Sequence, residues 1–152
     1  MRNFISVLLI LVTSSVFSQL KVVEQPKTIE VGKIGPLGMT TMIMSKNESG
    51  SVYCLDYKDI KFKHISEWKK FCFINENNDV DNLYNMIIDG FEKMPEKDIK
   101  LESQLHYIYL HFEKNLGVVS FQFYAEDKQT GVTGESPYMQ KKQVMKLFGK
   151  SK

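Results

Sequence analysis

The chain has 152 residues, a formal net charge of +2 and a hydrophobic content of 43%. That length suits one domain with one core, and the near-neutral charge gives no electrostatic footprint for nucleic acid. Arg2 is the only arginine, so every other positive charge is a lysine. Recognition of phosphates and bases relies strongly on the arginine fork. The composition therefore predicts a protein that does not bind nucleic acid.

Residues 1–18 have the pattern of a secretory signal peptide. Arg2 supplies the positive charge, residues 4–12 are apolar, and Val16 and Ser18 occupy positions −3 and −1 of a cut before Gln19. The apolar run is shorter than the ~20 residues of a bilayer-spanning helix. An N-terminal anchor or a buried helix is the alternative interpretation. The pattern predicts a bacterial protein that is secreted or periplasmic, with residues 19–152 forming one domain that has no transmembrane span.

The first half of this domain has mainly strand-like segments. Residues 20–24 and 28–31 predict an opening strand interrupted at Pro26, and residues 32–38 form a loop rich in glycine. Residues 39–45 and 51–57 predict a hairpin around the polar turn 46–50, and residues 69–74 predict a further strand.

Residues 80–94 give the clearest helix pattern in the chain. Apolar side chains recur there at three- and four-residue spacing, and Pro95 ends the pattern. Asn78 or Asp79 suits the N-cap, and Gly90 weakens the helix slightly. The apolar stripe predicts a helix that packs across a sheet.

Residues 98–102 begin a second group of strands, and residues 105–112 and 116–125 predict its central hairpin. A polar tip at residues 113–115 joins the two strands, and Gly117 suggests a bulge. Because alternate side chains of a strand point to opposite faces, each strand has one apolar face and one mixed face. Such an alternation is typical of an antiparallel sheet with one side on a core.

The end of the chain predicts a loop at residues 127–135 and a closing helix with Ser136 as cap and Pro137 at its first position. Lysines on one side of this helix and apolar residues on the other allow two interpretations, a docked helix or a helix lying on an anionic membrane. The complete pattern predicts an α+β domain with an antiparallel sheet of about six or seven strands. Two helices pack on that sheet, in the order strands, helix, strands, helix.

Cys54 and Cys72 are the only two cysteines, and both lie in strand-like segments. In an exported chain they can form a disulfide, and the alternative is a pair of buried free thiols. No C-x-x-C spacing is present, so a catalytic thiol is not predicted.

His111 and Glu113 share one face of a predicted strand, and with the distant His64 they form the only metal set that the sequence suggests. Nothing in the spacing brings His64 close, and there is no H-E-x-x-H motif. Ordinary polarity on a strand surface explains these residues equally well. The sequence therefore predicts no metal and no cofactor, with this set as a weak alternative.

Tyr107, Tyr109 and Tyr124 fall on the mixed faces of the central hairpin. Tyrosine favours interfaces because it combines contact area with a polar tip. With no catalytic motif in the chain, these residues predict a non-enzymatic module that binds a protein or a small ligand. The alternative interpretation of the tyrosines is that they cover one sheet face beneath a helix. The alternative functions are a small metal-dependent hydrolase and an immunity or inhibitor protein acting on a secreted toxin.

Overall fold

The computed structural model describes residues 27–62 and 65–151, so the predicted signal peptide, the first part of the opening strand and His64 lie outside the described residues. The described part contains eight strands, two α-helices and one 3-10 turn at Pro36–Gly38. The strands are β1 (Thr28–Ile34), β2 (Met42–Asn47), β3 (Val52–Lys58), β4 (Trp68–Ile74), β5 (Ile99–Glu102), β6 (His106–Asn115), β7 (Val118–Asp127) and β8 (Thr133–Glu135). The helices are α1 (Asp79–Lys93), between β4 and β5, and α2 (Lys141–Leu147), at the end of the chain.

The strands form two four-stranded antiparallel sheets, with the orders β1-β2-β3-β4 and β5-β6-β7-β8. The α+β class is confirmed, whereas the prediction of one sheet with six or seven strands is wrong. Alternating side chains identify strands but do not say which strands pair. Helix α1 is 15 residues long, about 22 Å, and it separates β4 from β5. The eighth strand, β8, has only three residues, one of them Gly134, and lies in the segment predicted as a loop.

The first sheet carries the disulfide on its outward side. Cys54 of β3 and Cys72 of β4 lie directly opposite each other in the register, with their Cα atoms 4.1 Å apart, and their sulfur atoms are bonded. Neighbouring residues of the same strands, Leu55 and Phe71, point the other way and are buried in the core. The alternation of β3 and β4 thus puts the disulfide at the surface and the apolar side chains inside.

Helix α1 packs on the inner side of the second sheet. Leu83 and Ile87 of its apolar stripe are buried. The ring of Phe91 meets Phe112 at 5.8 Å and Phe121 at 6.3 Å between ring centroids. The helix of the sequence pattern therefore forms and covers the sheet as expected.

Helix α2 begins later than the sequence predicts, at Lys141 rather than at Pro137. Ser136 does not cap it, because the Ser136 Oγ atom accepts a hydrogen bond of 3.0 Å from the backbone N–H of Phe123. Met139 then pairs with Phe121 in an isolated β-bridge, so residues 136–139 run beside β7. Because residues 136–139 pair with β7, helix α2 begins only at Lys141.

The apolar side of α2 is docked and not free for a membrane. Val144, Leu147 and Phe148 are buried. A Cβ atom on Gly32 of β1 would lie 2.2 Å from the backbone oxygen of Lys146, so only glycine admits the helix this close. The docked interpretation of the closing helix is therefore correct.

One hydrophobic core joins the two sheets and the two helices. Phe71 of the first sheet meets Phe123 of the second edge to face, with ring centroids 5.5 Å apart. No helix in residues 27–62 or 65–151 is long and apolar enough to cross a bilayer.

Candidate functional site: the tyrosine face of the second sheet

The outward side of the second sheet brings the three predicted tyrosines together. We call this surface the tyrosine face and define it by Lys100, Tyr107, Tyr109, Tyr124 and Glu126. Tyr109 lies directly opposite Tyr124 in the β6–β7 register. Tyr107 lies opposite Glu126, and Lys100 of β5 lies opposite Tyr109. Positions that are opposite in an antiparallel pair have Cβ atoms about 5 Å apart, so these side chains are immediate neighbours.

The β6–β7 turn sets this register, and it differs from the predicted tip. Residues 113–115 belong to β6, and the turn consists of Leu116 (φ 50°) and Gly117 (φ 84°). Positive φ at both central residues is the requirement of a type I′ turn, whose twist matches the strands it joins. Gly117 is therefore a residue of the turn and does not form a bulge.

Cations lie over the aromatic rings at one side of the tyrosine face. The Lys100 Nζ atom is 3.8 Å from the Tyr107 ring centroid and 5.4 Å from that of Tyr109. The Lys128 Nζ atom is 4.9 Å from the Tyr107 centroid and 2.5 Å from Glu102 Oε1. A hydrogen bond with Tyr109 raises the pKa of Lys100, and the hydrogen bond from Lys128 lowers the pKa of Glu102. These contacts place both ammonium groups against the rings, which is the arrangement of a cation–π interaction.

Tyr124 connects the face to a second group of polar side chains. Its ring meets the His111 ring edge to face at 5.3 Å, and His111 Nδ1 is 2.8 Å from Asp98 Oδ1. Burial and the nearby hydroxyl of Tyr138 raise the pKa of Tyr124 to about 12. Tyr124 is therefore a neutral phenol at physiological pH and can donate a hydrogen bond to a partner.

The tyrosine face is turned away from both helices. Helix α1 covers the opposite side of the sheet, where Phe112 and Phe121 are buried. Tyr107, Tyr109 and Tyr124 are all half-buried, each shielded by its strand neighbours. The alternative interpretation, in which a helix covers the tyrosines, does not hold for the described residues. The side chains present offer aromatic contact area, phenol donors and ion pairs.

The weak metal alternative is not assembled in the part of the chain that the structure describes. His111 Nδ1 is hydrogen-bonded to Asp98 Oδ1, and Glu113 Oε1 accepts a hydrogen bond of 2.8 Å from the Asn115 side chain. No three His, Cys, Asp or Glu side chains converge within residues 27–62 and 65–151. His64 lies outside those residues.

Sequence reasoning missed two participants of this surface, Lys100 and Tyr138. Lys100 lies in a segment predicted as a strand, but only the register shows that it lies opposite Tyr109. Tyr138 was assigned to a helix, whereas its extended segment brings its hydroxyl to Tyr124. No signal in the sequence could have found that contact.

No protein-family model, curated protein or solved structure matches this chain.

Proposed function

We propose that the chain is an exported bacterial protein that acts as a non-enzymatic binding module, with the tyrosine face as its contact surface. The observation that carries this proposal is the register, which groups Tyr107, Tyr109 and Tyr124 with Lys100 on the side of the sheet opposite the helices. Tyrosine is among the side chains that dominate binding energy at protein interfaces.

The shape of the face favours a protein partner over a small ligand. Lys100, Tyr109, Tyr124 and Glu135 lie in one row across the four strands of the sheet. At about 4.8 Å between strands, the row spans about 14 Å. A sheet surface of this width offers contact over an area rather than enclosure, and small ligands are usually bound in concave pockets.

Export is supported by the sequence of residues 1–18 and is compatible with the bond between Cys54 and Cys72. Disulfides persist in the periplasm and outside the cell and are rare in a reducing cytosol. The mass of the protein recovered from its native host tests this step. A chain starting at Gln19 without free thiols is expected, and a chain retaining Met1 with two free thiols would contradict export.

The binding proposal is tested by placing a photoreactive phenylalanine derivative at Tyr109 in the native host. Crosslinking to a partner is expected there and not at Ile43, a matched control on the outward side of the first sheet. The purified partner is then titrated against Tyr109→Ala and Tyr124→Ala. Each substitution is expected to weaken binding by about tenfold or more, since an interface residue of this kind contributes ~1–2 kcal/mol. Unchanged affinity in both variants would overturn the proposal.

The two alternative functions make different predictions. A metal-dependent hydrolase that uses His111, Glu113 and His64 requires stoichiometric metal in the purified protein and loss of metal on His111→Ala. An immunity or inhibitor protein requires a secreted toxin whose activity it blocks, encoded next to its own gene. Metal content separates the hydrolase from the proposal, and the identity of the crosslinked partner separates an immunity or inhibitor protein from other binding modules.

A further inference from the structure

Exposed apolar side chains are concentrated at one end of the molecule. We call this region the apolar end and define it as residues 35–41, 59–62, 65–68, 115–118 and 136–140. Of the twelve large hydrophobic side chains that are exposed in the described residues, nine lie there, and the other three are Ile29, Leu105 and Val132. Monomeric proteins rarely gather exposed apolar residues in this way unless the region has a binding role.

The connections of the apolar end are held side by side. The backbone N–H of Lys58 donates to the oxygen of Thr41 at 2.9 Å, which ties the β3–β4 connection to the β1–β2 connection. A hollow of about 490 Å³ lies between Pro36, Phe62 and Tyr138, and a second of about 430 Å³ lies between Tyr138 and Val118. Tyr138 therefore links the first-sheet connections to the β6–β7 turn in one surface.

Two leucines stand at the tips of this surface in a backbone conformation that leucine rarely adopts. Leu37 has φ 49° and is 99% exposed, and Leu116 has φ 50° and is fully exposed. Both lie in the left-handed region, where Gly and Asn are common and a bulky side chain is unfavourable. The fold gains nothing from a leucine at either position, which points to a role outside the fold.

The exposed charges of the apolar end are mainly positive. Lys61, Lys70, Lys114 and Lys142 are exposed in it or next to it, while Asp59 is fully buried and the nearby Glu67, Glu113 and Glu135 are half-buried. Lys61 and Lys70 form ion pairs with Glu135 and Asp56. Both lysines are more exposed than their carboxylate partners, so their ammonium groups can contact a further anion.

We propose that the apolar end docks on the surface of an anionic phospholipid bilayer. Protruding Leu, Met, Phe and Ile side chains on separate turns enter the acyl boundary, while the turn backbones stay at the headgroup level, where their polar groups are hydrated. Trp68 and Tyr138 have the side chains preferred at that level, and the lysines face the anionic headgroups. A protein partner would need matching pockets for several separated tips, whereas a bilayer deforms around them. The apolar end adjoins the tyrosine face at Tyr138, whose hydroxyl reaches Tyr124, but Leu37 and Leu116 lie outside that face.

Trp68 is the only tryptophan of the chain and lies within the apolar end, so it reports docking directly. The full chain is titrated with phosphatidylglycerol vesicles that carry brominated acyl chains. We expect a blue shift and quenching of the Trp68 emission, and a response at least about tenfold weaker with phosphatidylcholine vesicles or in 0.5 M salt. Quenching of Trp68 reports this surface and not any lipid contact made by the apolar residues 4–12.

The variant pair Leu37→Asn and Leu116→Asn provides the test, because Asn suits the left-handed conformation and preserves both turns. The double variant is expected to lose roughly tenfold or more in vesicle affinity while its stability is equal or higher. Leu105→Asn with Val132→Asn, two exposed residues outside the apolar end, is the matched control and should bind as the unchanged chain does. Absence of Trp68 quenching, or equal quenching in the two double variants, would overturn the proposal. If the vesicles give no response and a protein binds only to chains that keep both leucines, then that protein, and not a bilayer, binds the apolar end.

Discussion

At the scale of the residue, Gly90 shows how packing decides a position that local propensity disfavours. Glycine within a helix costs about 1 kcal/mol relative to alanine. In the structure Gly90 is buried, and a Cβ atom there would lie 2.1 Å from the Cζ atom of Phe112. Helix α1 can approach β6 this closely because position 90 has no side chain.

Gly90→Ala is expected to lower the free energy of unfolding by up to about 2 kcal/mol. Overpacking costs about 1–3 kcal/mol, which exceeds the gain of about 1 kcal/mol in helix propensity. Urea unfolding measures the change. Asn85→Ala, at an exposed position of the same helix, is the control and should be neutral or slightly stabilising. A Gly90→Ala protein as stable as the control would show that the Phe112 ring moves aside freely.

At the scale of the element, the β3–β4 hairpin is closed twice, by its backbone ladder and by the disulfide. Cys54 and Cys72 are 18 residues apart in the sequence and opposite in the register. The connection between these strands carries the exposed Ile60, Phe62 and Ile65. The covalent link holds the strands together at a distance from that connection, so the strand pair does not depend on the apolar end for its register.

Cys54→Ser with Cys72→Ser is expected to lower the free energy of unfolding by about 3 kcal/mol, from the loop entropy of an 18-residue separation. Unfolding in urea with and without dithiothreitol measures this. The reductant should lower the stability of the unchanged chain toward that of the double variant and leave the double variant unaffected. Equal stability of the oxidised chain and the variant would contradict the estimate.

At the scale of the whole molecule, the two sheets share one core although no strand of one pairs with a strand of the other in the described residues. Phe71 and Phe123 meet across the sheets, and α2 covers β1 through the close contact at Gly32. The tyrosine face and the apolar end lie on the outside of this shared core. A common core predicts that the two surfaces keep their structure or lose it together.

Phe71→Leu is expected to lower the free energy of hydrogen-exchange protection of the slowly exchanging amides by about 1–2 kcal/mol. The decrease should be the same in β3 of the first sheet and in β7 of the second. The reason is that a side chain shared by two sheets stabilises both when unfolding is cooperative. Hydrogen exchange resolved by residue measures it, with Ile43→Ala on the outward side of the first sheet as the control. Loss of protection in the first sheet alone would show that the sheets unfold independently.

The sequence by itself determined most of the strands, though not β8, together with the long helix and the two sides of the central hairpin, because these depend on local alternation and spacing. It also grouped Tyr107 and Tyr109 on one strand face and predicted a surface from them. Only the tertiary structure decided that the strands divide into two sheets, that residues 136–139 join β7 and that Tyr109 opposes Tyr124 beside Lys100. Pairing partners are chosen by contacts between distant segments, which no local pattern encodes. The apolar end is of this kind, since its exposed side chains come from connections that are far apart in the sequence and meet only in the fold.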